Sequence, residues 1–249
     1  MMDLHHVFLI VGKTGNGKSS LGNCLLGKEE FKTGTGMFST TARAEMVTRI
    51  RGKQSITVVD TPDIVNLDYS PDEREKEVQG WKRMTSPDHP TILLAVRCDV
   101  RYTAEEFAIY KDFKRLWGDN AGIRRHLVVA FTFGDRQNTD LKEELEDVCE
   151  ELKSVLIDAN HRYVLFNKKG LSKAEQVDQL FKVIRSPYNP EASQKWKILF
   201  VVCIVIALLS ASGCVIAGIF QELGLAIGLG LFALLLVLLM LICRCKAQK

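Results

Sequence analysis

Residues 12–19 read Gly-Lys-Thr-Gly-Asn-Gly-Lys-Ser, and this stretch decides the fold. It satisfies the pattern Gly-x-x-x-x-Gly-Lys-Ser/Thr, it follows the apolar run Val7–Val11, and helical spacing continues to Leu26. Glycine permits the dihedral angles and the close approach with which backbone N–H groups surround phosphate oxygens at a helix N-terminus. We therefore predict a phosphate-binding loop between a strand and a helix, with an ordinary glycine-rich turn as the alternative.

Two side chains of this stretch have the chemistry of a nucleoside-triphosphate site. We expect the Lys18 ammonium to neutralise charge on the β- and γ-phosphates, and the Ser19 hydroxyl to ligate Mg²⁺. Asp60 ends an apolar strand, where its carboxylate is expected to hold the hydration shell of the same ion; a turn-forming role is the alternative. The nucleotide contacts predicted in this part of the chain come from Gly12, Lys13, Thr14, Gly15, Asn16, Gly17, Lys18, Ser19 and Ser20.

Strand-like and helix-like segments alternate through residues 1–185. Strands are expected at 7–11, 91–96, 126–131 and 163–166, with an antiparallel hairpin formed by 46–51 and 55–60. Helices are expected at 19–26 and 73–84, and after the capping sequences 103–106, 140–143 and 172–175. The helix that starts after Asp140 is expected to continue to about Ile157. This alternation predicts an α/β domain with a mostly parallel sheet and helices on both faces.

Charge and cysteine content limit the class of protein. Basic and acidic side chains are nearly equal in number over residues 1–197, which argues against nucleic-acid binding through bulk positive charge and against a disordered chain. Seven cysteines without regular spacing give neither a disulfide framework nor a zinc motif. The polar N-terminus lacks the pattern of a signal peptide, so we expect residues 1–185 to form a domain in the reducing cytosol.

Residues 198–243 form an apolar run that contains a single charged side chain. Its two parts, 198–220 and 223–243, are each long enough to cross a hydrocarbon core about 30 Å thick. Basic residues lie on both sides of the run, which predicts that both of its ends face the cytosol. We expect a juxtamembrane linker at 186–197, a transmembrane helical hairpin, and a basic tail at 244–249. The hairpin either crosses an intracellular membrane fully or enters one leaflet, as at the endoplasmic reticulum or a lipid droplet.

Five stretches of the chain follow one another in a characteristic order. They are GKTGNGKSSLGNCLLG (12–27), VVDTP (58–62), HPTILLAVRCDVRYTAEE (89–106), FTFGDR (131–136) and RYVLFNKK (162–169). Together they resemble the AIG1-type GTPases, also called GTPases of immunity-associated proteins, which are related to septins and chloroplast Toc receptors. The resemblance covers about residues 7–185. It implies a Ras-like P-loop GTPase domain that binds GTP or GDP together with Mg²⁺.

The resemblance also implies which residues select guanine. Asp135 matches the carboxylate that accepts hydrogen bonds from guanine N1 and N2, and adenine offers no matching donor pair. Thr132 and Gly134 would frame that loop, and Phe133 would lie against the base. Asn167 matches the fifth nucleotide motif and would orient Asp135 or meet the base edge. A helix-capping role for Asp135 is compatible with this assignment, whereas an ATP-using enzyme would require both assignments to be wrong.

Two regions determine the expected activity. One is the segment between the first and the second of these stretches, and the other is the pair of residues that follows the second. Thr41 matches the threonine that would reach Mg²⁺ and the γ-phosphate, with Thr40 as the alternative register. Asp63 replaces the glycine of the family pattern DTPG and brings a negative charge towards the γ-phosphate, so we expect weaker GTP-specific ordering and a preference for GDP. Ile64 cannot orient water, so we expect slow hydrolysis.

Self-association is the last expectation that the resemblance carries, because septins pair through their nucleotide faces. Arg101 lies near the expected face and is a candidate arginine finger that would act on the nucleotide of a partner copy. A surface arginine paired with Glu105 is the alternative. The sequence thus predicts a membrane-anchored guanine-nucleotide switch or a self-associating scaffold. A scaffold that binds nucleotide without useful hydrolysis is the competing prediction.

Overall fold

A six-stranded sheet organises the part of the chain that the computed structural model describes. The described residues are 4–34, 41–51, 54–65, 69–136, 140–167 and 171–186, all within the unit Met1–Pro187. The strands are β1 (Leu4–Val11), β2 (Glu45–Arg51), β3 (Gln54–Asp60), β4 (Thr91–Arg97), β5 (Leu127–Thr132) and β6 (Tyr163–Leu165). Their order is β2-β3-β1-β4-β5-β6, and β2, antiparallel to β3, is the one strand that breaks the parallel arrangement of these six. The predicted hairpin and mostly parallel sheet are confirmed.

Helices cover both faces of this sheet, because successive side chains of each strand point to opposite sides. Along β1, Phe8 and Ile10 join one buried cluster, and Leu9 and Val11 join the other. The first cluster is closed by helices α1 (Lys18–Leu26) and α7 (Lys173–Arg185), which pack through their apolar faces. The second is closed by α2 (Pro71–Thr85), α3 (Ala104–Trp117), α4 (Asn120–His126), the short α5 (Leu141–Glu144) and α6 (Glu150–Asp158).

Capping boxes set where three of these helices begin. Thr103 opens α3 and Ser172 opens α7, each accepting the backbone N–H of the glutamate three residues on, as the sequence predicts. Ser70 and Glu73 form a third capping box at the start of α2. The carboxyl ends of β1, β3, β4, β5 and β6 therefore lead into loops and helix N-termini along one edge of the sheet.

Several predicted elements differ in extent from the observed ones; β1, for example, begins at Leu4 and not at Val7. The helix expected from Asp140 to about Ile157 is broken after α5. Val148 has an extended backbone, and a separate helix, α6, starts directly after Cys149. Val148 is β-branched and leaves the helical conformation, and the acidic Glu150 and Glu151 then occupy the first turn of a new helix, where the helix dipole favours negative charge. The strand expected from His126 begins one residue later because His126 ends α4, whose N-cap Asp119 accepts the N–H of Gly122.

The predicted transmembrane hairpin at 198–243 lies outside the described residues. Within the described ranges, none of the helices has both the length and the apolar character required to cross a bilayer.

Candidate functional site

The phosphate-loop sequence joins the end of β1 to the start of α1. Gly12 has a φ of +141°, and a Cβ at this position would lie 2.6 Å from the carbonyl oxygen of Ala95 in β4. Gly17 has a φ of +80° and is the N-cap of α1. Glycine is required at both positions, since their backbone conformations favour it and the first also has no room for a side chain. The loop therefore wraps closely over the sheet edge and presents the first turn of a helix, where Ser20 is exposed.

Lys18 lies buried at the centre of this loop. Its Nζ donates to the carbonyl oxygens of Gly12 at 2.8 Å and Lys13 at 3.1 Å. Burial lowers the pKa of Lys18, while the nearby charges of Asp60 and Asp63 act in the opposite direction. A buried ammonium held by carbonyl oxygens is a centre of positive charge placed to receive an anion.

Ser19, Thr41 and Asp60 meet beside the loop. The Ser19 hydroxyl donates to Asp60 Oδ2 at 2.6 Å, and Thr41 Oγ1 lies 3.3 Å from the same oxygen and 3.4 Å from Ser19 Oγ. Burial raises the pKa of Asp60, against the Ser19 hydrogen bond and the charge of Lys18. Asp60 Oδ1 is buried and has no hydrogen-bond partner among the described residues. Two hydroxyls and a carboxylate with a spare oxygen suit Mg²⁺, which takes oxygen ligands and keeps several waters.

The structure thus brings together three residues that the sequence proposed as metal ligands from three separate segments. Thr40, the alternative to Thr41, lies outside the described residues.

Asp63 turns its carboxylate onto the phosphate loop. Its Oδ2 accepts the backbone N–H of Thr14 at 2.9 Å, and its Oδ1 accepts the N–H of Val65 at 3.0 Å. The side chain is buried. The next residue, Ile64, is 3% exposed and packs into the core, so its side chain does not face the loop.

The predicted base-binding loop is joined directly to the phosphate loop. Thr132 Oγ1 donates to the carbonyl oxygen of Asn16 at 2.9 Å and also lies 3.3 Å from that of Val96. Gly134 N donates to Phe166 O at 3.1 Å, and this bond draws the loop after β5 to the loop after β6. Asp135 is half-buried beside this junction.

Asn167 is fixed through its backbone and leaves its side chain available. Its N–H donates to Gln176 Oε1 at 2.9 Å, and its carbonyl oxygen accepts from Gln176 Nε2 at 3.1 Å. Asn167 Oδ1 is buried without a partner in the described part of the chain. A buried amide oxygen of this kind is available to a ligand or to a neighbouring donor.

A group around Phe133 was missed by the sequence analysis. The guanidinium carbons of Arg97 and Arg136 lie 4.4 and 4.8 Å from the centroid of the Phe133 ring, and both arginines bond to Asp99. The Arg97 hydrogen bonds are the main reason that the pKa of Asp99 is lowered. Arg97-x-Asp99 follows a buried strand and was visible in the sequence, but only the fold places it beside a ring that follows β5. The group offers flat aromatic and guanidinium surfaces next to Asp135.

The start of α3 is also attached to the phosphate loop. Asn16 Nδ2 donates to Ala95 O at 3.0 Å and to Glu106 Oε1 at 2.9 Å. Glu106 Oε2 accepts from both the backbone and the hydroxyl of Thr103, so one carboxylate caps the helix and holds the loop. No sequence pattern distinguishes this glutamate from that of an ordinary capping box.

Arg101 lies three residues before α3 and is exposed. In the structure Glu105 pairs with Lys13 of the phosphate loop, and among the described residues it forms no ion pair with Arg101. In the described ranges, Arg101 itself takes part in no ion pair.

The chain is similar in sequence to known proteins. The sequence profile of the AIG1 family matches residues 6–195. Immune-associated nucleotide-binding protein 5 of Arabidopsis thaliana is 36% identical over 188 residues, which cover 73% of this chain and 60% of that protein. GTPase IMAP family member 8 of Homo sapiens is 29% identical over 180 residues, which cover 71% of this chain and 26% of that protein. The chain therefore spans between about a quarter and three fifths of the length of these two relatives.

Solved structures share the fold. Toc33 of Arabidopsis thaliana in complex with GDP and Mg²⁺ is 18% identical, with a TM-score of 0.56 over 74% of this chain and 85% of that chain. A second Toc33 structure accompanies the finding that dimerization is important for the GTPase activity of the chloroplast translocon components atToc33 and psToc159. It is 18% identical, with a TM-score of 0.56 over 76% of this chain and 86% of that chain.

Proposed function

Because the chain belongs to the AIG1 family, we propose that it is a guanine-nucleotide-binding protein that hydrolyses GTP slowly on the cytosolic face of a membrane. One observation carries the proposal: Ser19, Thr41 and Asp60 meet beside the phosphate loop, and Asp60 Oδ1 is left without a partner in the described residues. That donor set fits Mg²⁺, and the adjoining loop fits the phosphates that accompany this ion in nucleotide sites.

Each residue of the site has a separate task in this proposal. The glycine-rich loop and Lys18 bind the phosphate oxygens, and Lys18 gives up its bonds to loop carbonyls when they arrive. Ser19, Thr41 and Asp60 hold Mg²⁺, which supplies charge neutralisation at the β- and γ-phosphates when bound. Asp135 accepts the paired N–H donors of guanine, and the buried Asn167 amide either orients that carboxylate or meets the base edge.

Slow turnover follows from the loop after β3. Hydrolysis requires a side chain that orients the attacking water, and Ile64, which follows the DTPD sequence, is apolar and buried in the core. The protein then depends on a partner for efficient hydrolysis. A second copy is the partner that we propose, supported by the exposure of Arg101 and by the role of dimerization in Toc33 and psToc159.

Membrane attachment is the part of the proposal that rests on sequence alone. The segments 198–220 and 223–243 have the length and the apolar character of a helical hairpin, and basic residues flank both ends. The hairpin would anchor the nucleotide-binding domain to an intracellular membrane, where nucleotide-dependent self-association concentrates the protein on a surface.

A membrane scaffold that keeps its nucleotide without useful hydrolysis is the second candidate. The specific observation in its favour is that Asp63 occupies the N–H of Thr14 and that Ile64 is turned away from the loop. Both candidates bind GDP, and only the first releases phosphate.

The test uses the full chain in detergent micelles. Fluorescent GDP bound in the presence of Mg²⁺ should be displaced by GDP and GTP but not by ATP, because adenine lacks the N–H donors from which Asp135 would accept hydrogen bonds. The substitution Asp135→Asn should weaken GDP binding by about 10- to 100-fold and create binding of xanthosine diphosphate, whose base presents an acceptor to the new amide. Displacement by ATP as effective as by GDP would exclude the guanine assignment.

A further inference from the structure

We propose that the Asp63 carboxylate is an internal occupant of the place that a terminal phosphate takes on the loop, and that it makes the site select nucleoside diphosphates over triphosphates. This inference rests on the proposed nucleotide-binding function. It assigns the selection to a contact inside the chain rather than to charge repulsion alone.

Asp63 accepts a hydrogen bond from one of the backbone donors of the phosphate loop. Thr14 is the third residue of the phosphate-loop sequence, and its backbone N–H is one of the donors that this loop carries. Here that N–H is donated to Asp63 Oδ2 at 2.9 Å. An incoming oxygen can take this donor only after the carboxylate has left it.

The second step is the charge around the same point. Lys18 is the buried cation of the loop, bonded to the carbonyl oxygens of Gly12 and Lys13, and Asp63 is bonded to the next residue along, Thr14. Asp60 is proposed to face Mg²⁺, which leaves Asp63 as the acid that a terminal phosphate would meet. Asp63 is 8% exposed, so little water screens the repulsion between its carboxylate and that phosphate.

The third step is what holds Asp63 in place. Its second oxygen accepts the N–H of Val65 at 3.0 Å, which closes a short turn after β3. Expelling the carboxylate therefore costs two hydrogen bonds to a charged acceptor, and each such bond corresponds to about a tenfold change in affinity or more. A diphosphate leaves both bonds intact.

With Asp63 at this position, the loop should respond to a triphosphate in the opposite way to a loop that carries glycine there. A glycine would use its own N–H to bind the γ-phosphate, so a triphosphate would tighten the loop. Asp63 releases Val65 when a triphosphate enters. The Val65 amide should therefore exchange its hydrogen faster in the triphosphate complex than in the diphosphate complex.

The experiment measures the affinity of the full chain in detergent micelles for GDP and for GMPPNP, a triphosphate analogue that is not cleaved, both with Mg²⁺. The wild-type chain should bind GDP about 100-fold more tightly. D63N keeps the size of the side chain but loses the charge and one acceptor, and should reduce this ratio by about tenfold; D63G should bring it close to one. D112N makes the same change in net charge on α3, away from the loop, and should leave the ratio unchanged.

Hydrogen exchange at Val65 supplies a readout that a merely structural role for Asp63 would not produce. Exchange faster with GMPPNP than with GDP in the wild-type chain, and a difference lost in D63N, would support the inference. Thermal unfolding of each variant shows whether it is folded, and D63N alone decides the question if D63G is not.

Equal wild-type affinities, or a ratio that D63N leaves unchanged, would overturn the role of Asp63 while GDP binding still supports the proposed function. Failure of the wild-type chain to bind either nucleotide would overturn the proposed function and this inference with it.

Discussion

Gly12 is the residue whose replacement should be the most damaging in the phosphate loop. The substitution Gly12→Ala combines an unfavourable φ of +141° with a Cβ only 2.6 Å from the Ala95 carbonyl oxygen. We expect the free energy of unfolding to fall by about 3 kcal/mol, from backbone strain and from overpacking against a strand that cannot move. Chemical denaturation with urea measures this change.

Gly15→Ala is the matched control for that prediction. Gly15 has a φ of +84°, and a Cβ there would meet no atom within 4 Å. It should cost about 1–2 kcal/mol, from the backbone conformation alone. Equal losses for the two variants would contradict the importance of the contact with β4.

At the scale of single residues, the sequence predicted those site residues that a contiguous motif or a strand end makes recognisable. The glycines, Lys18 and Ser19 belong to one contiguous motif, and Asp60 is recognisable because it ends an apolar strand. The contact between Asp63 and Thr14 was not predicted, because it joins residues far apart in sequence across a folded edge. The arginines around Phe133 were missed for the same reason.

At the scale of elements, Glu106 connects helix α3 to the phosphate loop. The substitution Glu106→Ala removes the glutamate half of the capping box of α3, while the Thr103 cap remains, and it leaves the buried Asn16 amide short of an acceptor. The free energy of unfolding should fall by about 2–3 kcal/mol, and GDP binding should weaken as well because the loop loses an anchor. Denaturation and nucleotide titration measure the two effects.

Glu175→Ala tests whether the cap alone explains that result. Glu175 completes the same capping box at α7 but, among the described residues, has no contact with the loop. It should destabilise the domain less than Glu106→Ala and leave GDP affinity unchanged. Loss of GDP binding in both variants would show that general destabilisation is responsible.

Helix starts with a strong local signal were predicted, and the early end of one helix was not. The capping sequences at 103–106 and 172–175 begin helices as expected, since the hydrogen bonds that define them are local. The segment after Asp140 also begins a helix, but that helix ends early, because Val148 is extended and α6 starts as a separate helix at Glu150. The apolar spacing of 141, 145, 148 and 152 continues across the break, so the sequence pattern did not reveal it.

At the scale of the whole molecule, the family prediction from five motifs is confirmed by the profile match over residues 6–195. The membrane anchor stays a prediction.

The full chain expressed in cells should remain with membranes after alkaline carbonate extraction, and a chain lacking residues 188–249 should not. Tags at the two ends should both be digested by protease added to intact organelles, because the flanking basic residues predict that both ends face the cytosol. Protection of one tag would contradict the hairpin.

Self-association provides the second prediction at this scale. Phosphate release per molecule should rise with protein concentration if a second copy completes the site, and Arg101→Ala should reduce that rise by about tenfold or more. GDP affinity should not change. Arg115→Ala is the control, because Arg115 is an exposed arginine of α3 that pairs with Asp112 on the same helix. An unchanged rise in the Arg101 variant would exclude this residue as the arginine finger.

The Thr132 hydroxyl links the loops at the two ends of the proposed ligand through the carbonyl oxygens of Asn16 and Val96. Val96 is paired in register with Phe131, the neighbour of Thr132 in β5. The separation between the base end and the phosphate end of the proposed site therefore depends on the pairing of β4 with β5 as well as on the phosphate loop. Substitutions elsewhere in the two loops should change how tightly a ligand is held without changing the distance that this one hydroxyl helps to set between its two ends.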